Sequence, residues 1–128
     1  MTEAQEQMML INYLKAKKIF HYANVNENQM SSVSKAMAIR VGAKHKALGR
    51  LAGLSDMTIF LNNKILFIEM KKAPRKLKSG KFSTSHVKVS DNQVAFINKV
   101  NEFDYVKAVV AYGFKQAQAF VEEELKCV

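Results

Sequence analysis

The sequence predicts an α/β domain, a small mixed central sheet flanked by helices. Three observations carry this. Helical and strand-like patterns alternate along the chain, the strand-like runs are short, and a chain of 128 residues that is 48% apolar holds one core but not two. The expectation is therefore a single domain over 1–128, with a sheet of about four strands, a common size for small domains.

The elements follow in order. From Glu3 to Lys17 a helix is expected, because Leu10 and Leu14 fall on one face at 100° per residue, with Ile11 beside them. Ile19 to Ala23 is aromatic and apolar and reads as a short strand, and Asn24 to Gln29 as a polar loop. Ser31 to Ser34 offer caps for a helix running to Leu48, and Gly49 and Gly53 punctuate a turn. Met57 to Leu61 and Ile65 to Glu69 flank the break Asn62-Asn63-Lys64, a hairpin pattern. Ala73 to Val89 holds Pro74, Gly80, three serines and many lysines and reads as a long loop. Ser90 caps a helix from Asp91 to Asn101, Tyr105 to Tyr112 with its three valines reads as a buried strand, and Gln116 to Lys126 forms the last helix.

Charge narrows the partners. Lys and Arg number 20 against 11 acidic residues, a formal net charge of +9. Such an excess points to a polyanion, with nucleic acid ahead of an anionic membrane surface and of a merely solvated basic face. The single cysteine, Cys127, excludes an internal disulfide, and no Cys/His cluster suggests structural zinc; His21, His45 and His86 are scattered. The seven methionines read as core filler. With no leader pattern and no apolar run long enough to span a bilayer, a reducing cytoplasmic setting is expected.

The segment from Asp56 to Lys71 carries the chemistry. Side chains two apart on a strand share a face, so Glu69 and Lys71 project together while Met70 turns away. Hairpin pairing sets the start of its first strand, Asp56, beside the end of its second. Two carboxylates and a lysine at a sheet edge suit a hard cation that activates water against a phosphate, with the lysine orienting that water. On spacing alone they equally suit a cross-strand salt bridge.

The ordered context adds a resemblance. Glu3 and Gln7 on the first helix are followed by His21-Tyr22-Ala23-Asn24, then by Gly49-Arg50-Leu51-Ala52-Gly53-Leu54-Ser55-Asp56, Glu69-Met70-Lys71 and Ser90-Asp91-Asn92-Gln93. This succession resembles the VRR-NUC branch of the PD-(D/E)xK nuclease superfamily over nearly the whole chain. Ser55 stands where that pattern often has proline, a position that shapes the turn. The resemblance implies a restriction-endonuclease-like αβββαβ core and a metal-dependent DNA endonuclease using Mg²⁺ or Mn²⁺. It implies that Asp56 and Glu69 bind metal with the Met70 carbonyl as a further ligand, that Lys71 positions the nucleophilic water, and that Gln93 orients Lys71 or the scissile phosphate. It also implies a first-helix acid at the site, as catalytic group or additional metal ligand. The helical wheel favours Glu3, within about 20° of Leu10 and Leu14, over Glu6, about 60° further round; a carboxylate on the core stripe is costly without a partner. Gln7, Asn24, Gly49, Gly53 and Ser90 read as structural support. Stand-alone members of the branch suggest a homodimer acting on branched DNA such as Holliday junctions or flaps, in a phage-like or bacterial setting.

Two basic groups are expected to contact DNA. One is Lys72, Arg75, Lys76, Lys78 and Lys81, directly after the catalytic strand and read as mobile without DNA. The other is Arg40, Lys44, Lys46 and Arg50, with Lys35 preceding them. The competing expectations are a non-catalytic DNA-binding module that keeps the fold, and a protein-interaction or inhibitor protein.

Overall fold

Thr2 opens the first helix, α1 (Glu3–Ala16), with a reciprocal cap: its hydroxyl accepts from the Gln5 N–H at 3.1 Å, and the Gln5 side chain accepts from the Thr2 N–H at 2.8 Å. Two donors that a helix start leaves open are thereby satisfied. Leu10 and Leu14 on α1 are fully buried. The structure is a computed structural model and describes residues 1–24, 34–49 and 51–126. The polar segment expected as a loop after Asn24 lies almost wholly outside the described residues, as do Arg50 and Cys127.

The strand β1 (His21–Ala23) is followed by α2 (Lys35–Ala47), the hairpin β2 (Met57–Leu61) and β3 (Lys64–Lys71), and a small ribbon of β4 (Arg75–Lys76) and β5 (Phe82–Ser83). The chain closes with α3 (Asp91–Val100), β6 (Val106–Tyr112) and α4 (Phe114–Lys126). The main sheet has the order β1-β2-β3-β6. The first two pairings are antiparallel and β3·β6 is parallel, its crossover made by α3. This is the mixed four-stranded sheet expected from the sequence.

The β2–β3 register fixes which side chains share a face. Leu61 pairs with Lys64 across a two-residue turn, and Met57 with Ile68. Met57, Ile59, Leu66, Ile68 and Met70 therefore point to one side, where they pack with Leu10, Leu14, Ala117 and Val121 of α1 and α4 into the main core. The opposite face carries Thr58, Phe67, Glu69 and Lys71. There the α3 residue Phe96 meets Phe67 edge to face at 5.3 Å between ring centres.

Three boundaries differ from expectation for physical reasons. α4 begins at Phe114 rather than Gln116, because its cap comes from a distant element: the carboxylate of Glu6 accepts from the Phe114 N–H at 2.5 Å. No local sequence signal reports such a cap. The 73–89 segment is not an uninterrupted loop. Arg75 pairs with Ser83 and Lys76 with Phe82, and the turn closes with the Leu77 N–H on the Lys81 carbonyl at 2.7 Å while Gly80 takes φ +86°. A ladder of two residue pairs is too short for an alternating pattern to reveal. β1 keeps only three ladder residues, after Lys18 has turned the chain at φ +58°.

Gly49 and Gly53 both sit at positive φ, +84° and +82°, but only Gly53 is enclosed. A Cβ there would fall 2.4 Å from the carbonyl carbon and oxygen of Asn92, whereas one at Gly49 meets open space. Gly53 thus lets the turn before Asp56 press on the first turn of α3. Gly49→Ala should cost about 1–2 kcal/mol, the strain of a left-handed Cβ, and Gly53→Ala about 2–4 kcal/mol once overpacking is added. Urea unfolding of the two variants measures the difference, and equal losses would contradict the enclosed position of Gly53.

Candidate active site

β2 pairs with β3 only as far as Ile68, so the last residues of β3 have an open edge on that side. Asp56 fills it. One of its carboxylate oxygens, Oδ2, accepts from the Met70 N–H at 2.8 Å. In an extended strand the N–H and C=O of one residue point the same way, so the Met70 carbonyl also faces the Asp56 side. The Lys71 carbonyl faces the other way and accepts from the Gly113 N–H.

Asn24 secures the approach to Asp56. Its Nδ2 donates to the Ser55 carbonyl at 2.8 Å and to Thr58 Oγ1 at 2.9 Å, and its backbone N–H donates to the Asp56 carbonyl at 2.8 Å. Ser55 itself is buried. Gln7 lies over the start of β2, its Nε2 3.6 Å from Met57 Sδ.

Glu69 is 1% exposed. Its Oε1 accepts from Gln93 Nε2 at 2.6 Å and lies 3.5 Å from Lys71 Nζ. Its Oε2 is buried and receives no hydrogen bond from a described residue. A carboxylate oxygen without a donor is costly in such a place, and the Glu69 carboxyl stands beside that of Asp56. Burial, and then the negative charge of Asp56, push the Glu69 carboxyl up to about 8, with Lys71 opposing them. Burial also raises Asp56, against the Met70 N–H and Lys71.

Gln93 is held at both ends of its amide. Its Oε1 accepts from the Ser90 N–H at 2.9 Å while Ser90 Oγ accepts from the Gln93 N–H at 3.1 Å, a capping box that starts α3. With Oε1 committed to Ser90, Nε2 is directed at Glu69. The resemblance implies Lys71 or the scissile phosphate as the partner of Gln93; in the structure its Nε2 meets Glu69.

The two first-helix acids separate. Glu6 is the more buried, at 5% exposed, and is used as the cap of α4. Glu3 is half-buried, and burial raises its carboxyl, opposed by Lys71 and reinforced by Asp56, with Lys72 opposing as well. Glu3 is therefore the helix acid that feels the cluster. The wheel placed it on the core stripe, yet the acid buried in the core is Glu6, tolerated because the Phe114 N–H meets it. Among the described residues no three His, Cys, Asp or Glu side chains gather closely enough to hold an ion together; Glu3 stands beside the Asp56/Glu69 pair.

Lys72, Arg75, Lys76, Lys78 and Lys81 are all exposed, on or beside the β4–β5 ribbon that follows Lys71. Lys35, Arg40 and Lys44 are exposed on α2, and no hydrogen bond or ion pair joins them to the acid cluster. The Lys46 side chain and Arg50 lie outside the described residues.

A solved structure described as a VRR_NUC domain protein superposes with a TM-score of 0.69, covering 98% of this chain and 89% of its own at 19% identity. The chain therefore has the fold of a VRR-NUC domain, as the sequence resemblance implies. No family model matches the sequence, and no curated protein does. Among the described residues no helix is long and apolar enough to cross a membrane.

The raised Glu69 carboxyl has a consequence for stability. Folded Glu69 holds its proton to about 8, whereas an unfolded glutamate loses it near 4.3. Between those values the folded state binds more protons, so this group's contribution falls as pH rises through the window. Metal-free wild type should lose melting temperature from pH 5 to pH 8 relative to Glu69→Gln, and Mg²⁺ should restore part of the loss at pH 8. Parallel melting curves for the two proteins would contradict the assignment.

Proposed function

We propose that this domain is a divalent-metal-dependent nuclease that hydrolyses DNA phosphodiesters, with Asp56, Glu69 and Lys71 as its catalytic core. The observation that carries the proposal is the Asp56/Glu69 pair, Glu69 buried and Asp56 partly so, with Glu69 Oε2 receiving no hydrogen bond from a described residue and Lys71 alongside, at the open end of β3. A structural salt bridge would instead use its oxygens on cations, as Glu124 does with Lys64 at 3.1 Å and Lys107 at 2.9 Å.

The donor set suits Mg²⁺ or Mn²⁺, which take one or two carboxylates and complete their shell with water and substrate phosphate. Asp56 and Glu69 would hold the ion, with the Met70 carbonyl as a further ligand. A bound ion supplies a more acidic water and charge stabilisation at the attacked phosphate. The remaining work belongs to the chain. Lys71, anchored by Glu69, orients the attacking water and stabilises charge developing on the phosphate. Gln93 keeps Glu69 in position, and Asn24 keeps Asp56 there. Glu3, beside Lys71 and Asp56 and half-exposed, is the rim acid. The β4–β5 ribbon binds backbone phosphates without reading sequence.

The finer reading rests on the VRR-NUC likeness: an endonuclease selective for branched DNA such as Holliday junctions or flaps, acting as a homodimer whose two sites make paired cuts, in a phage-like or bacterial intracellular setting. A non-catalytic binding module is the competing reading.

Purified protein incubated with plasmid and with synthetic junctions should cut in Mg²⁺ or Mn²⁺ and not in EDTA. Asp56→Ala and Lys71→Ala should each lower the rate at least about 100-fold. Salt-sensitive binding without cutting would establish the module instead. Changing Lys72, Arg75 and Lys76 together to Ala should weaken DNA binding and flatten the log–log salt dependence by about 2 to 3. An unchanged slope would remove the ribbon from the interface.

A further inference from the structure

Three aromatic rings lie in the open on the sheet. Phe20, Tyr22 and Phe60 are 69%, 47% and 37% exposed, and their ring centres are 5.3 to 6.4 Å apart. The register accounts for the grouping. The Phe60 N–H donates to the Phe20 carbonyl at 2.9 Å, and Tyr22 pairs with Thr58 two residues before Phe60, so all three rings emerge on one face. That face is also the face of the acid cluster. Thr58 pairs with Phe67, and Glu69 and Lys71 follow Phe67 at two-residue steps. Phe60 pairs with Ile65, four residues before Glu69, which sets its ring about 13 Å from the cluster along the sheet at ~3.3 Å per residue, while Tyr22, level with Thr58 and Phe67, is about 7 Å along and two strands across.

The segment that leads into Phe20 is basic: Lys15, Lys17 and Lys18 are exposed, Lys18 two residues before the ring and Lys17 with its ammonium over Tyr13 of α1, and no acidic residue occurs from Lys15 to Asn24 or from Met57 to Ile68. Solvent-facing rings beside cations match what an unpaired nucleic acid strand offers, namely base faces to stack on and phosphates to neutralise. A second copy of the chain fits less well. Aromatic side chains bury about 150–250 Å² each, so three fall below the roughly 800 Å² that each partner of a stable complex gives up.

We infer that Phe20, Tyr22 and Phe60 form a base-stacking platform for an unpaired DNA strand on the same sheet face as the acid cluster. About four stacked nucleotides at ~3.4 Å each span the distance from Phe60, so an unpaired strand held on the rings would lie within a few nucleotides of the acid cluster, reaching it around α3, whose Phe96 packs on Phe67 between them. The inference deepens the nuclease reading and supplies a physical source for selectivity toward DNA with unpaired segments.

Binding measured in EDTA tests the platform apart from catalysis. The probes are a labelled mixed-sequence DNA strand, the matching duplex and an abasic strand of equal length, followed by fluorescence anisotropy. Phe20→Ala and Tyr22→Ala, whose rings are largely outside the core, should each bind the strand about tenfold more weakly and leave duplex binding within about twofold. Tyr22→Phe should keep wild-type affinity, and the abasic strand should bind wild type as weakly as the mixed-sequence strand binds the variants. Circular dichroism confirms that each variant is folded. Equal losses on strand and duplex, unchanged strand binding, or a shift from dimer to monomer without a change in strand preference would each overturn the platform. A protein that binds strands in this way but never cuts would retain the platform and lose the nuclease assignment; one that cuts without strand preference would do the reverse.

Discussion

Keeping the Glu69 carboxyl almost fully buried beside a second carboxylate is the constraint to which the surrounding structure responds. Taking such a group out of water is expensive unless it is neutralised, hydrogen-bonded or bound to a cation. The chain supplies part of the compensation from three directions: Gln93 from α3, Lys71 from the same strand, and the proton that burial retains up to about 8. Glu69 Oε2 receives no hydrogen bond from a described residue, whereas the Glu124 carboxylate places both of its oxygens on cations, Lys64 and Lys107.

The positioning of the pair depends on strand pairing that stops early. β2 leaves β3 after Ile68, and the chain before it, held by Asn24 and pressed on α3 through Gly53, delivers Asp56 to the freed Met70 N–H. α3 in turn begins at Ser90, where the cap that starts the helix also aims Gln93 at Glu69. A helix cap, a glycine turn and a sheet edge thus converge on one carboxyl group. This is why the short motifs of the sequence occur in a fixed order although none is distinctive alone.

The parts legible in the sequence are those that obey local rules. The two-residue period put Glu69 and Lys71 on one face, the hairpin brought Asp56 beside them, and Ser90 marked the start of α3. The parts that were not legible depend on contacts between distant segments. Glu6 caps α4 across 108 residues, so a wheel drawn for α1 alone assigns its burial to the wrong acid. The resemblance leaves Gln93 with Lys71 or the scissile phosphate, because residue type does not reveal which way an amide points; its bond with the Ser90 N–H directs Nε2 at Glu69. The β4–β5 ribbon is too brief to leave an alternating pattern, and the Phe20, Tyr22 and Phe60 group forms only when β1 and β2 are in register.

The central claim is that Asp56 and Glu69 form one cation site whose ion replaces a proton. Mn²⁺ titration by calorimetry at pH 7, repeated in buffers of different ionisation enthalpy, counts the protons released on binding. The account predicts release of about one proton from wild type, since Glu69 must ionise to act as a ligand, with weaker binding and almost no release from Glu69→Gln. Binding without proton release, or equal binding by both proteins, would contradict it.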